Sequence, residues 1–438
     1  METDLSANED FLLPNIKLGL QPQASYVKSR RNATVHSSIA TASPGGVSTI
    51  KWSLSSATEW LDPDSVVASF TVNNSEAKPL HPSTVGAHCL FERLQIRAGG
   101  QLIEDIDHYG RTTEIFERCV PVEKRINYGG LGFGQAKQLD VAANIATPQL
   151  FKSSAHKAVA IANNGSKRVF MRFGLSGMLH AKKWIPLWAI PGGIEILLTL
   201  APASEAVVPA AADANSVQYT LSDLRLGADL ISIDPALDEQ YKQNLLDGGG
   251  LKLHFKTWNV TQQYLPAGNA GNMTLTLSKA YSRLANVFAN FAPELTAAQR
   301  QTGAMYTNEF TMFPNAAERI ESFLTIGARK FPDFPNKGAS EHYWRLMTSL
   351  GVALSLPHSI NIDRESYELN SFLMGVELEK APQVAASGEN TTGGQEIAIH
   401  VKGLNDLTDA NAEVRRAFVI LHHEVILDIM AGGVMLKT

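Results

Sequence analysis

The chain has 438 residues and a formal net charge of −5, and its length predicts two or three domains with substantial apolar cores. The negative balance argues against a dedicated nucleic-acid-binding domain, which usually carries a basic stripe. Two cysteines, Cys89 and Cys119, are too few for a disulfide framework, and no Cys/His spacing indicates zinc. Only 18% of residues are charged, against about 25% usually, which fits either surface reserved for partners or long uncharged loops.

Residues 1–30 are predicted to form an irregular N-terminal arm. The first residues, METDLSANEDFLLPNIK, lack the basic and apolar regions of a signal peptide, so we expect no secretory signal. The arm ends in a small basic cluster of Lys28, Arg30 and Arg31. That cluster fits either a weak contact with phosphate groups, driven by counterion release, or side chains that are simply solvated.

The first strands are predicted within residues 47–116. In VSTIKWSLS, apolar side chains alternate with polar ones, which is typical of a half-buried strand. SVVASFTVN forms another strand after a proline turn. FERLQIRAGGQLIEDIDHYGRTTEIF, residues 91–116, then predicts strand, turn, strand and short helix, because glycine accepts the positive φ of a hairpin turn.

Residues 127–167 are predicted to be a loop inserted in the first domain. They are rich in Gly, Ala, Asn and Ser and lack the apolar alternation of a core strand. Further on, WIPLWAIPGGIEILLTLA, residues 184–201, could be mistaken for a membrane span. Its prolines, its Gly pair and Glu195 would break the backbone bonds of a lone spanning helix and bury a charge. We therefore predict an extended arm followed by a buried strand, and no membrane span.

The domain boundary is predicted near residue 240. The helix-like segment DPALDEQYKQNLLDGGG, residues 234–250, ends in three glycines, which favour a flexible stop. Beyond it, LKLHFKTWNVTQQYL, QEIAIHVKGL and RAFVILHHEVILDIMAGGVMLK have the patterns of strands. The sequence thus predicts a first β domain over residues 31–240 and a second over residues 241–438.

One structural unit occurs twice. ERIESFLTIGARKFPDFPNKGASEHYWRLM, residues 318–347, repeats the strand, turn, strand and helix of residues 91–116, and the two Glu-Arg pairs lie 318 − 92 = 226 residues apart. That offset is about half of the chain. Two tandem all-β domains, each a jelly roll of antiparallel sheets packed face to face with a few short helices, account for the duplication.

No catalytic or cofactor-binding motif stands out. GGLGFG, residues 129–134, has no Gly-Lys-Ser/Thr after it, so it predicts a flexible loop and not a phosphate site. The sequence has no Gly-x-Ser-x-Gly elbow and no His-Glu-x-x-His pair. We expect no catalytic residue, no metal site and no cofactor.

The titratable residues that do cluster have ordinary explanations. His422 and His423 are adjacent in a predicted strand and point to opposite faces, so they would not converge on one metal ion. The carboxylates of Glu377 and Glu379 are interpreted as solvated, since acid–base catalysis needs a pocket that shifts a pKa. The same interpretation covers Asp62 and Asp64.

The predicted architecture resembles the double jelly-roll major capsid proteins of icosahedral DNA viruses, particularly those of Polinton-like viruses and virophages. The resemblance lies in LFERLQIRAGGQLIEDIDHYGRTTEIFE, WIPLWAIPGGIEILLTLA, VQYTLSDLRLGADLISID and the C-terminal FVILHHEVILDIMAGGVML. It implies a homotrimer in which two barrels from each of three subunits form a pseudo-hexagonal capsomer. It also implies a structural protein of the virion, without enzymatic activity.

The resemblance further implies the partners of the chain. These are neighbouring capsomers, penton and minor capsid proteins, and at most a weak, non-specific contact of the arm with the DNA genome. A β-sandwich that binds or acts on carbohydrate is the alternative. Such proteins present exposed aromatic side chains on one strand surface, whereas the six tryptophans here are scattered between apolar neighbours, which favours packing.

Overall fold

A computed structural model describes residues 27–80, 86–120, 131–132, 161–207, 216–266, 268, 271–293, 319–353, 360, 362, 367, 372–380, 387–404 and 414–437. The strands within residues 27–233 form two sheets, and those within residues 251–437 form two more. We call these two parts the first half and the second half.

The first half contains two antiparallel sheets. One has the order β1-β10-β4-β7, formed by β1 (Val27–His36), β10 (Thr220–Ile233), β4 (Trp60–Asn73) and β7 (Ser166–Arg172). Two short strands, β2 (Thr41–Ala42) and β8 (Ile185–Pro186), pair with β10 and β4. The other sheet has the order β3-β9-β5-β6, formed by β3 (Thr49–Leu54), β9 (Ile194–Leu200), β5 (Phe91–Ala98) and β6 (Gln101–Ile106).

The second half has the same design. One sheet has the order β11-β18-β13-β16, formed by β11 (Leu251–Tyr264), β18 (Val414–Met430), β13 (Leu284–Pro293) and β16 (Met374–Glu377), with β19 (Gly433–Lys437) also paired to β18. The other has the order β12-β17-β14-β15, formed by β12 (Met273–Leu277), β17 (Ile397–Lys402), β14 (Glu321–Ile326) and β15 (Arg329–Lys337).

Both halves are jelly rolls. Without the short β2 and β8 and the C-terminal β19, each half has eight strands. In chain order, the first, eighth, third and sixth strands form one sheet, and the second, seventh, fourth and fifth form the other. All of these pairs are antiparallel. The predicted all-β fold of two tandem jelly rolls is confirmed.

The helices are few and short. They are α1 (Tyr109–Cys119), α2 (Ala203–Ala206), α3 (Pro235–Leu246) and α4 (Gly338–Ser349), with 3-10 turns at Ala87–Leu90, Met178–His180 and Leu187–Ala189. Helix α3 begins where Asp234 caps it, because a carboxylate oxygen of Asp234 accepts a hydrogen bond from the backbone N–H of Ala236 at 2.9 Å and proline suits the first helical position. Residue 240, the predicted boundary, falls within this helix.

Alternating side chains build the two cores. In β3, Ile50, Trp52 and Leu54 are buried, and the residues between them are exposed. The same alternation occurs in β9 and in β12. Each jelly roll therefore buries the inner faces of its two sheets against each other, as the period of two predicts.

The repeated unit is the hairpin that precedes each of the helices α1 and α4. The turn residues Gly99 and Gly327 both have a φ of 57°, which a β-carbon would disfavour. They lie 327 − 99 = 228 residues apart, and the helices begin 338 − 109 = 229 residues apart. The structure thus contains the repeat close to the offset of 226 inferred from the Glu-Arg pairs.

Several predicted segments can be compared with the structure. Strand β1 begins at Val27, so residues 27–30 belong to a sheet and not to an irregular arm, while residues 1–26 lie outside the described residues. Most of the predicted loop 127–167 also lies outside them. At its described margins, Leu131 is 37% exposed and Ile161 pairs with Leu80. The loop assignment stays a prediction.

The apolar segment at residues 184–201 forms β8, a 3-10 turn and the buried strand β9. Gly192 and Gly193, both at positive φ, separate the turn from β9. Among the described residues, no helix has the length and hydropathy to cross a membrane.

Candidate functional site

The largest specific contact between the two halves is made by helix α1. Its Phe116 ring packs against Trp258 of β11 at 4.6 Å and against Phe288 of β13 at 5.3 Å between ring centroids. Trp258 in turn stacks on His422 of β18 at 4.0 Å. The helix of the first half therefore covers the outer face of the sheet β11-β18-β13-β16 in the second half.

A guanidinium group extends this contact. Arg111 of α1 donates a hydrogen bond from Nη2 to Oδ1 of Asn290 at 3.0 Å, and its guanidinium carbon lies 4.0 Å from the centre of the Phe418 ring. His108, just before the helix, packs edge-on against the same ring at 5.3 Å. Aromatic packing and a cation–π contact hold the helix on the sheet, and both are stronger when water is excluded.

A buried carboxylate lies at the same junction. Glu104 of β6 is 1% exposed and accepts hydrogen bonds from the Ser176 hydroxyl and from the backbone N–H groups of Gly177, at 2.8 Å, and Met178. Burial raises the pKa of Glu104, whereas these donors and the hydroxyl of Thr257 lower it. Because Thr257 belongs to β11, the carboxylate connects the two halves.

Helix α4 occupies in the second half the place of α1 in the first. Counted by the offset of 229, Ile115 of α1 corresponds to Trp344 of α4, and Thr112 to Glu341. Ile115 is 3% exposed, whereas Trp344 is 48% exposed. The helical stripe that is buried in the first half is thus open in the second.

The predicted basic cluster is part of an ion-pair network along β1. Arg30 contacts Asp62 at 2.8 Å and Asp229 at 2.6 Å, and Arg31 makes a bidentate contact with Glu59 at 2.6 Å. The hydrogen bond from Arg31 lowers the pKa of Glu59. Lys28 lies 3.8 Å from Asp234. These cations are balanced by carboxylates, and charged side chains on an edge strand prevent unwanted pairing.

The adjacent histidines have different partners. His422 stacks on Trp258, whereas His423 packs on Tyr281 at 4.0 Å. Burial lowers the pKa of His422 to about 3 and that of His423 to about 4. Among the described residues, no group of three or more His, Cys, Asp or Glu side chains could hold a metal ion.

The carboxylates interpreted as solvated turn out differently. The Glu379 side chain is only 7% exposed and forms an ion pair with Lys256 of β11, so its interpretation as solvated is wrong. Its position beside β11 removes it from water, and the ammonium group of Lys256 compensates the charge. Burial raises the pKa of Glu377. Asp62 pairs with Arg30, and Asp64 pairs with Arg172.

One cavity of about 500 Å³ lies where the halves join, at the end of β10 and the start of β11. Its lining is mainly apolar and aromatic, and it includes Trp60, Trp184 and Tyr241, with Lys183 and Lys252 as its charged residues. The described lining contains no carboxylate and no histidine, so it offers no nucleophile paired with a base.

The residues of the α1 junction could not be identified from the sequence. Phe116 and Trp258 are far apart in the chain and each has an ordinary apolar context. One signal was available: in FERLQIRAGGQLIEDIDHYGRTTEIF the helix carries apolar residues on two sides, since Ile115 and Phe116 are neighbours. A short helix with two apolar sides has to be covered twice.

Comparison with known proteins identifies the fold. No family model and no curated protein matches the sequence. Among solved structures, PBCV-1 VP54, fitted into a reconstruction of the virophage Sputnik, has a TM-score of 0.60 and 12% identity, covering 95% of this chain and 98% of its own. The Faustovirus major capsid protein has a TM-score of 0.59 and 8% identity, covering 98% and 94%.

The mavirus major capsid protein has a TM-score of 0.51 and 8% identity, covering 100% of this chain and 96% of its own. These matches span nearly the whole length of both chains, so they include both jelly rolls and their arrangement. At such low identity they establish the fold alone. The chain has the double jelly-roll fold that viral major capsid proteins share.

Proposed function

We propose that the chain is a major capsid protein that forms homotrimers, and that these trimers tile the icosahedral shell of a DNA virus. The observation that carries the proposal is the duplication: one chain holds two jelly rolls of identical strand order, fixed to each other by α1. Three such chains around a three-fold axis present six similar barrels and fill a nearly hexagonal outline.

The domain division belongs to the same proposal. An arm over residues 1–30 precedes a first jelly roll over residues 31–240 and a second over residues 241–438. The separate sheets of the two halves support this division, with α3 between their strands. The arm contributes at most a weak contact with the genome, since Arg30 and Arg31 are already paired with carboxylates.

The protein acts in the virion shell and not as an enzyme. The fold shared with the Faustovirus and mavirus major capsid proteins supports this, as does the ordinary packing of the titratable residues described above. Its partners are further copies of itself, penton proteins and minor capsid proteins. A sugar-binding role finds no support, because Trp52 and Trp60 are buried and Trp258 is packed under α1.

Light scattering combined with size exclusion tests the proposal. The chain has a mass of 47.5 kDa, so we expect a particle of three times that mass and, by electron microscopy, a nearly hexagonal outline with both barrels at its rim. A protein that stays monomeric at high concentration would contradict the proposal. A trimer that leaves the second barrel away from the rim would contradict it equally.

A further inference from the structure

We propose that helix α4 of one copy docks on the outer face of the sheet β1-β10-β4-β7 of a second copy. This contact repeats between chains the one that α1 makes within the chain. The inference rests on the proposed trimer and names the two surfaces that form it.

The first observation is the open stripe of α4. In α1 the residues Thr112, Ile115 and Cys119 are 1%, 3% and 8% exposed. The corresponding residues of α4 are Glu341, Trp344 and Thr348, none of which is buried. The two helices occupy the same place in their jelly rolls, so the difference arises from what lies against them. For α1 that is the sheet of the next jelly roll.

The hairpin strand before α4 shows the same difference. Strand β6 lies against β11 of the second half, and the hydroxyl of Thr257 in β11 hydrogen-bonds to Glu104 of β6. The strand that corresponds to β6 is β15, whose Phe334 is 84% exposed. Two exposed aromatic side chains of the described chain, Phe334 and Trp344, thus lie on elements whose counterparts are covered. Exposed aromatic residues of this kind are typical of interface centres.

The receiving surface follows from strand correspondence. Sheet β1-β10-β4-β7 is the counterpart of the sheet that carries α1. On its central strand, the buried residues Ala68 and Phe70 take the places of Val287 and Ala289. This sets an offset of 287 − 68 = 219 for that strand pair. The cross-strand pair Trp258 and His422, which lies under α1, then corresponds to the pair Thr34 and Gly227.

The two sides of the proposed contact compensate each other in size. Within the chain, the helix brings Ile115 onto a sheet that presents the large rings of Trp258 and His422. Between chains, the helix brings the larger Trp344 onto a sheet that presents the small Thr34 and Gly227. A small residue opposite a large one is what close packing requires at both junctions.

The charge of the receiving face is balanced. Asp223 forms ion pairs with Arg168 and with Arg225 on this face, so covering it would not strand an unpaired charge. Phe170 of β7 is 46% exposed and pairs with Ser69 on the central strand. It adds an apolar surface beside the small residues, where the indole of Trp344 can pack.

The contact is tested on the full-length protein by size exclusion with light scattering over a range of concentrations. Trp344→Glu should raise the dissociation constant of the trimer by at least about 30-fold, the effect of a central interface residue. Trp344→Phe should keep the trimer. Leu246→Glu, which changes a 72% exposed apolar residue on α3, is the matched control and should also keep it.

The sheet side is tested by maleimide labelling. Thr34→Cys should react at least about 10-fold more slowly in the trimer than in the dissociated chain, because the helix covers position 34. Leu246→Cys should react equally fast in both states. The native Cys89 and Cys119 are buried, and circular dichroism checks that each variant is folded.

The outcomes separate the two proposals. A wild-type chain that is monomeric throughout overturns both the trimer and this contact. A wild-type trimer that Trp344→Glu leaves intact, together with a Thr34→Cys variant that is labelled at the same rate in both states, overturns the contact and leaves the capsid proposal standing.

Discussion

Gly177 of the first half lies against the backbone carbonyl of Lys256 in β11 of the second half, so closely that a β-carbon at position 177 would overlap with that oxygen. The residue has helical torsions, φ −70° and ψ −37°. Alanine would therefore suit the backbone, and only the space excludes it. The absence of a side chain at this position lets the two jelly rolls approach.

Gly177→Ala should destabilise the protein by about 1–3 kcal/mol, the usual cost of overfilling a packed site. The free energy of unfolding measured in urea gives the value. Gly45→Ala is the control, because a β-carbon there meets no atom within 4 Å. Equal stability of the two variants would show that the halves do not fit together at Gly177.

Phe116→Ala should lower the free energy of unfolding by about 2–3 kcal/mol, less than the 3–5 kcal/mol of a fully buried phenylalanine, since Phe116 is half-buried between Trp258 and Phe288. Loosening of the junction should appear as faster amide exchange in α1. Phe334→Ala, at an 84% exposed residue, should cost little in the monomer. A Phe116 variant as stable as the Phe334 variant would rule out the packing role of α1.

Glu104→Ala should cost about 3 kcal/mol or more, because it leaves buried donors at Ser176, Gly177 and Met178 without an acceptor. Thermal unfolding measures the effect. The matched control is Glu396→Ala, at an exposed glutamate. If both substitutions shift the melting temperature equally, Glu104 does not hold the junction.

Acid should weaken the folded state through its buried histidines. Burial lowers the pKa of His88 to about 4 and that of His422 to about 3, so the folded state binds protons less readily than the unfolded state. Their contribution to stability is complete above about pH 6.5 and is lost as the pH falls towards 4, by up to about 3 kcal/mol for each residue.

His422→Phe keeps a ring on Trp258 and removes the titrating group. Its free energy of unfolding should therefore fall less between pH 7 and pH 4 than that of the wild-type protein. His36→Phe, at an exposed histidine of β1, serves as the control. An identical pH profile for His422→Phe and wild type would contradict the burial argument.

Replacing both arginines of β1, as Arg30→Gln with Arg31→Gln, should change DNA binding little. The side chains are paired with Asp62, Asp229 and Glu59, and a cation that is already neutralised releases few further counterions from DNA. The slope of binding against salt concentration measures this. A slope that falls by about two would show that both arginines contact phosphate.

The sequence by itself determined the local elements. Alternation of Ile50, Trp52 and Leu54 with polar residues placed a half-buried strand, because successive side chains of a strand point to opposite faces. The Gly-Gly turn at Gly99 follows from the positive φ that glycine accepts. The repeated hairpin and helix indicated two jelly rolls, since a duplicated pattern of strands needs a duplicated core.

Only the tertiary structure decided what each outer face contacts. Glu379 has the sequence context of a solvated carboxylate, yet its side chain is buried and paired with Lys256, 379 − 256 = 123 residues away. Arg30 has the context of a free arm and lies in a strand against Asp229. The periodicity of a strand says that a side chain points outward. Whether that side meets water or another sheet depends on packing between segments distant in sequence, which local patterns do not encode.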